Sequence, residues 1–194
     1  YSYLYSAIRP AKNIRDLATL RLPSGVKEFD AVILKFGVYE ITHYLGTVGG
    51  ESLPNYGTLV HGSDNMKQQM LNDFNAWAKS DHGVKCLNKY ADDAIMFINR
   101  HYECNRPIYI CTAVGKDSRH DMMIPYIERV MNAVPCLMWN RDIPDERREI
   151  CAMIDLWICV ASEVHHDYPG GSTLSHVEIC IKQGAIGQSL QVGG

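Results

Sequence analysis

The feature that most constrains this chain is a pair of short apolar runs in its second half, each leading into polar, glycine-bearing sequence. Ile108–Ala113 (IYICTA) follows Pro107 and precedes Gly115. Asp155–Ser162 (DLWICVAS) leads through a histidine pair to Pro169-Gly170-Gly171. Runs of this length, rich in β-branched and aromatic residues and bounded by Pro or Gly, read as buried strands. Between them, apolar periodicity over Met122–Met131 reads as a helix, with Pro125 tolerated in its first turn. Val134–Trp139 reads as a further strand and Pro144–Met153 as a short charged helix. The strand at Ile154–Ala161 is followed by a helix over Ser172–Gly184 and a final strand over Ala185–Val192. Strands alternating with helices imply parallel βαβ units with right-handed crossovers. The expected fold class is therefore α/β: a Rossmann- or flavodoxin-like parallel sheet in the C-terminal half, with an irregular, partly helical N-terminal region. Residues 1–105 form that region and 106–194 the nucleotide- or sugar-binding unit, the two reading equally as one continuous domain.

The N-terminal part carries weaker signals. Phe29–Phe36 (FDAVILKF) reads as a strand, and 46–65 as a long Gly/Ser/Asn-rich loop. Met66, Met70, Phe74 and Trp77 have the spacing of an amphipathic helix, with Asp64 as its cap. Tyr90–Tyr102 reads as another helix, closed by Asn105-Arg106-Pro107.

With 194 residues, 46% apolar and 21% charged, the chain can bury a sizeable core without staples. A net charge of −3 argues against a dedicated nucleic-acid binder, which needs a concentrated basic surface. No apolar run approaches the roughly 20 residues of a membrane span. No signal-peptide pattern is read, and the chain begins with Tyr1 rather than Met, so the native start is open. The seven cysteines contain no CxxC, and several sit in apolar runs, where a thiol packs as a small hydrophobe. A reduced, cytoplasmic protein is expected.

In open parallel sheets ligands bind beyond the carboxyl ends of the strands. That edge is expected to carry 114–119, 140–146 and 162–175. In the last of these, a Gly-Gly turn opens a helix bearing Ser172, Thr173, Ser175, His176 and Glu178. Backbone N–H groups at a helix start, with Ser172 and Thr173, suit an anion. Lys116 and Arg119 are candidate phosphate contacts, although a solvated loop explains them equally.

This C-terminal pattern resembles the nucleoside 2-deoxyribosyltransferase-like superfamily and its nucleotide N-glycosidase relatives. The matching pieces are Ile108-Tyr109-Ile110-Cys111, Asp155-Leu156-Trp157-Ile158-Cys159, and Gly170-Gly171-Ser172-Thr173 ahead of Glu178. Pro169-Gly170-Gly171 is also similar to the opening of the glycine motif of phosphoribohydrolases in the lysine-decarboxylase-like family, without that motif's later glycine. The resemblance implies cleavage or transfer at the N-glycosidic bond of a nucleoside or nucleotide. Glu178 would be the nucleophile, Asp142, Asp145 or Glu146 the acid or base-binding group, and Tyr109 would orient the carboxylate. Gly170, Gly171, Ser172 and Thr173 would hold a phosphate. No cofactor and no metal are required, and a homo-oligomer that completes the pocket is implied. Such a reaction builds positive charge at the anomeric carbon, which a carboxylate stabilises or attacks. A second acid then assists the departing base. The family's helix spacing, counted back eight residues from Gly184, falls on His176 rather than Glu178. Two residues along a helix is a turn of about 200°, so only one of the two faces the site.

Three other readings compete. The same Gly-Gly helix start without working carboxylates would make a nucleotide-sensing module or a structural component of an assembly. His165, His166, Asp167 and His176 have metal-ligand chemistry, but a polar ligand-binding loop is the preferred reading. Tyr90-Ala91-Asp92-Asp93 resembles the metal-binding turn of YADD nucleotidyl polymerases. That reading requires the two aspartates on a hairpin; an exposed pair on a helix is the plainer expectation.

Overall fold

The computed structural model describes residues 16–18, 20, 22, 26, 28–47, 63–112, 114, 118–139 and 148–169. The chain divides into two compact units that interleave in sequence. The first comprises Tyr1–Ile33, Cys104–Cys111 and Leu137–Gly194; the second comprises Leu34–Glu103 and Thr112–Cys136.

The first unit holds a parallel sheet. Its strands are β1 (Asp30–Leu34, whose last residue begins the second unit), β2 (Ile108–Cys111), β3 (Leu137–Met138) and β4 (His165–Tyr168). They lie in the order β3-β2-β1-β4, all parallel. β1 pairs with β2 from Asp30 opposite Ile108 to Ile33 opposite Cys111. β3 extends the ladder, with Leu137 opposite Ile108 and Met138 opposite Tyr109. All four residues of β2 are buried. A strand covered on both faces reads as a continuous apolar run, as IYIC does.

Two expectations are corrected here. First, the sheet is not confined to the C-terminal half, because β1 comes from the FDAVILKF segment and is an interior strand. Second, residues 154–161 are not a strand but the end of a helix, α5 (Arg148–Ala161). No Gly or Pro interrupts 148–161, so the charged turn and the apolar run form one element. Ile154 and Ile158 stand one helical turn apart, and Cys159 adjoins Ile158 on the same side of the helix. They pack against Ala31, Tyr109 and Cys111, the residues that alternate onto one face of β1 and β2. An apolar run this short fits strand or helix equally, and burial against the sheet decides for helix. The strands expected at 108–113 and 134–139 are also shorter, ending at Cys111 and reduced to Leu137–Met138. The helix expected over 172–184 and the strand over 185–192 lie outside the described residues.

The second unit is helical. It comprises α1 (Val38–Thr47), α2 (Asp64–Ala78), α3 (Asp81–His101), a 3-10 turn (Ser118–Met123) and α4 (Ile124–Ala133). In α3, Gly83, Leu87, Tyr90, Ala91, Ala94 and Ile98 are buried, a stripe at three- and four-residue spacing facing α2 and α4. Each large side chain in that stripe contributes about 2 kcal/mol by leaving water. α2 and α3 start at serine caps. Ser63 Oγ accepts from Met66 N at 3.4 Å, and Ser80 Oγ accepts from Gly83 N at 3.0 Å. The expected cap of α2, Asp64, is instead its first residue, where its charge suits the helix dipole. Pro125 sits in the first turn of α4, where its missing N–H costs nothing.

Cys104 and Cys136 each take part in a disulfide, against the expectation of an all-thiol chain. Cys104 lies in the bend that runs into Asn105-Arg106-Pro107, and Cys136 lies in the turn at Pro135, within the apolar run expected as a strand. Cys104 has φ of 51°, the left-handed region that few non-glycine residues adopt. Cys111 and Cys159, inside apolar elements, are reduced and buried, as the sequence led one to expect.

Candidate functional site

The carboxyl edge of the sheet in the first unit is formed by the ends of its strands. Trp139 follows β3, and Pro169 follows β4 across a cis Tyr168–Pro169 peptide bond. The amino edge is a hydrogen-bonded knot around Asp30, which is 6% exposed. Asp30 N–H donates to Pro107 O at 2.8 Å, and its Oδ1 accepts from Val164 N at 3.1 Å. Its Oδ2 lies 3.7 Å from Arg106 Nε. Ala31 N donates to Val164 O and Glu163 N to Phe29 O, each at 2.9 Å. One buried carboxylate thus joins the starts of β1, β2 and β4 and fixes the register that carries their far ends to the carboxyl edge. Asp30 is not among the residues that the sequence motifs single out. The available signal was an acidic residue at the mouth of an otherwise apolar strand.

With residues 154–161 helical, the edges are reassigned. Ser162 closes α5, its N–H donating to Ile158 O at 3.0 Å. Ser162–Val164 therefore lead into the amino end of β4. The sequence beyond the carboxyl end of β4 begins at Pro169, two residues after Asp167 and immediately before Gly170.

The histidine cluster also changes character. His165, His166 and Asp167 are not in a loop; they belong to β4. Adjacent residues of a strand face opposite ways, so the two imidazoles diverge. Among the described residues no group of three or more His, Cys, Asp or Glu side chains is arranged to hold a metal ion.

Tyr109 is the candidate catalytic residue that the structure describes most fully. It is 1% exposed and packs with Ala31, Cys111, Ile154, Ile158 and Cys159. Arg119 lies in the 3-10 turn of the second unit, where its backbone alone is described. Lys116, Asp142, Asp145, Gly170, Gly171, Ser172, Thr173, His176 and Glu178 lie outside the described residues.

The YADD segment is settled as a helix. Tyr90, Ala91, Asp92 and Asp93 fall mid-way along α3, not on the hairpin that a polymerase turn requires. Tyr90 is buried, donating its hydroxyl to Lys35 O at 3.0 Å and meeting Phe36 and Tyr44 edge-on, with ring centroids 5.2 Å apart in each case. Asp92 accepts from Arg129 Nε at 2.9 Å and Nη2 at 2.7 Å, tying α3 to α4. Asp93 accepts from Lys89 Nζ at 2.6 Å. That hydrogen bond and the carboxylate charge hold the lysine above its usual range. The two aspartates have separate basic partners, which is surface ion-pair chemistry rather than a shared cation site.

No helix among the described residues is long and apolar enough to cross a membrane. No family model matches the chain, and no curated protein or solved structure does.

Proposed function

We propose that the chain binds a nucleoside or nucleotide at the carboxyl edge of its sheet and cleaves or transfers at the N-glycosidic bond. The observation that carries this reading is the continuity of β4 with Pro169-Gly170-Gly171-Ser172-Thr173. A parallel strand next to β1 ends at Tyr168, and the chain then enters a glycine-rich, hydroxyl-bearing sequence. In open α/β sheets the strand-to-helix turn is where backbone N–H groups meet an anionic ligand. The order β3-β2-β1-β4 supports a Rossmann-like reading of the sheet. Its order reverses between β1 and β4, the position at which such sheets bind nucleotides.

In this reading Gly170, Gly171, Ser172 and Thr173 bind phosphate or sugar hydroxyls. Glu178 or His176 supplies the group that meets the anomeric carbon, and Asp142 or Asp145 assists the leaving base. Tyr109 supports the sheet beneath this edge rather than touching substrate, since its ring is enclosed by β1 and α5. The test is incubation with a panel of nucleosides and nucleotides, with free base followed chromatographically. Glu178→Gln and His176→Ala are compared with the unaltered chain. Loss of about 100-fold or more in one variant alone identifies the inward-facing residue, the scale expected for a group acting on the reacting atoms. Saturable nucleotide binding without base release would support the sensing role instead.

A further inference from the structure

The core between β2 and α5 contains a sulfur pair that the proposed activity does not use. Cys111 Sγ and Cys159 Sγ are 3.6 Å apart, 48 residues apart in sequence, and both residues are 1% exposed. Cys111 Sγ also lies 3.7 Å from Asp155 O. Both cysteines are reduced. We propose that these two thiols form an oxidisable pair that, under hydroperoxide, closes into a disulfide tethering α5 to β2.

Three observations support this. The sulfurs are already in contact, and a disulfide of about 2.05 Å needs only rotation about the two Cα–Cβ bonds with a small helix shift. They lie on different elements, so the bond spans a long loop and restricts the unfolded chain strongly. Their surroundings, Ala31, Ile154 and Ile158, are apolar. A small uncharged oxidant therefore reaches them during local opening of α5 more readily than a charged one.

The chemistry balances with one hydrogen peroxide. One sulfur attacks a peroxide oxygen, the O–O bond breaks, and a sulfenic acid and one water result. The second sulfur attacks the sulfenic sulfur; the S–S bond forms and the S–O bond breaks. The hydroxyl leaves as a second water with the remaining thiol proton. Two thiols have lost two electrons and two protons to one peroxide.

The experiment treats the folded chain with hydrogen peroxide, blocks remaining thiols with iodoacetamide and digests with chymotrypsin without reductant. Cleavage after Tyr109 and Trp157 separates Cys111 and Cys159 from Cys104 and from each other. The expected product is a linked peptide pair, two mass units below the sum of the two thiol peptides, that reductant separates. The melting temperature should rise by about 5–10 °C, and Cys111→Ala or Cys159→Ala should abolish both effects. Part-exposed Cys86 should react faster, which shows that the oxidant is active. Alkylation of both Cys111 and Cys159 after Cys86 is fully oxidised would overturn the proposal. Sulfinic acid on either cysteine with no linked peptide would overturn it equally.

Discussion

Asp30 shows how one buried residue can set the geometry of a sheet without touching any substrate. Its backbone N–H and side chain engage three residues, Pro107, Val164 and Arg106, at the amino ends of β2 and β4. Removing the carboxylate leaves Val164 N–H without its acceptor in a half-buried position and Arg106 without its counter-charge. Asp30→Ala should therefore cost about 1–3 kcal/mol. Asp30→Asn keeps an acceptor and should lose less. Urea denaturation of the two variants checks this; equal midpoints for Asp30→Ala and the unaltered chain would show that the knot contributes nothing. Tyr109 makes the complementary point. In IYIC its residue type suggests a site hydroxyl, and the structure places it second in a strand buried on both faces, packed against α5. Sequence conveys that a tyrosine lies in an apolar run, while the face it occupies depends on α5, which arrives 39 residues later at Arg148.

At the scale of the element, sequence was most legible where local chemistry alone decides. Pro125 marks the first turn of α4, and α2 and α4 lie close to where the periodicity puts them, whereas α3 begins at Asp81, nine residues before the expected Tyr90, and the caps are Ser63 and Ser80 rather than Asp64. It was least legible where an apolar run is compatible with either period. The run over 154–161 became helical because its face packs on Ala31 and Cys111, and the polar HHDY became a strand because β1 offered it a free edge. Neither decision is local. Gly83 offers a direct test of element packing. A Cβ placed there would lie 2.1 Å from Trp77 O and 2.9 Å from Ala78 Cα, both backbone atoms that cannot swing aside. Helix propensity alone favours alanine over glycine by about 1 kcal/mol, whereas overpacking costs about 1–3 kcal/mol. The clash should win, so Gly83→Ala should lower the thermal midpoint rather than raise it. A higher midpoint would mean that α2 and α3 do not approach this closely at Ser80.

At the scale of the whole molecule, the chain passes between its two units four times, at 33/34, 103/104, 111/112 and 136/137. The C-terminal stretch that carries most of the sheet lacks β1, the strand lying between β2 and β4. A fragment of residues 106–194 should therefore show no cooperative unfolding transition by circular dichroism, whereas the full chain should. A cooperative fragment would mean that β2, β3 and β4 reorganise into a sheet without β1. The same topology gives the functional reading its position. The last described strand of the parallel sheet leads in sequence to Gly170-Gly171-Ser172-Thr173, with Glu178 and His176 following, and this is where the proposed nucleotide or sugar site is placed. The most direct measurement is release of free base by the full chain from the nucleoside and nucleotide panel. The expected result is time-dependent base from at least one substrate, abolished by Glu178→Gln or by His176→Ala. Neither free base nor exchanged base from any member of the panel would contradict the proposed N-glycosidic chemistry.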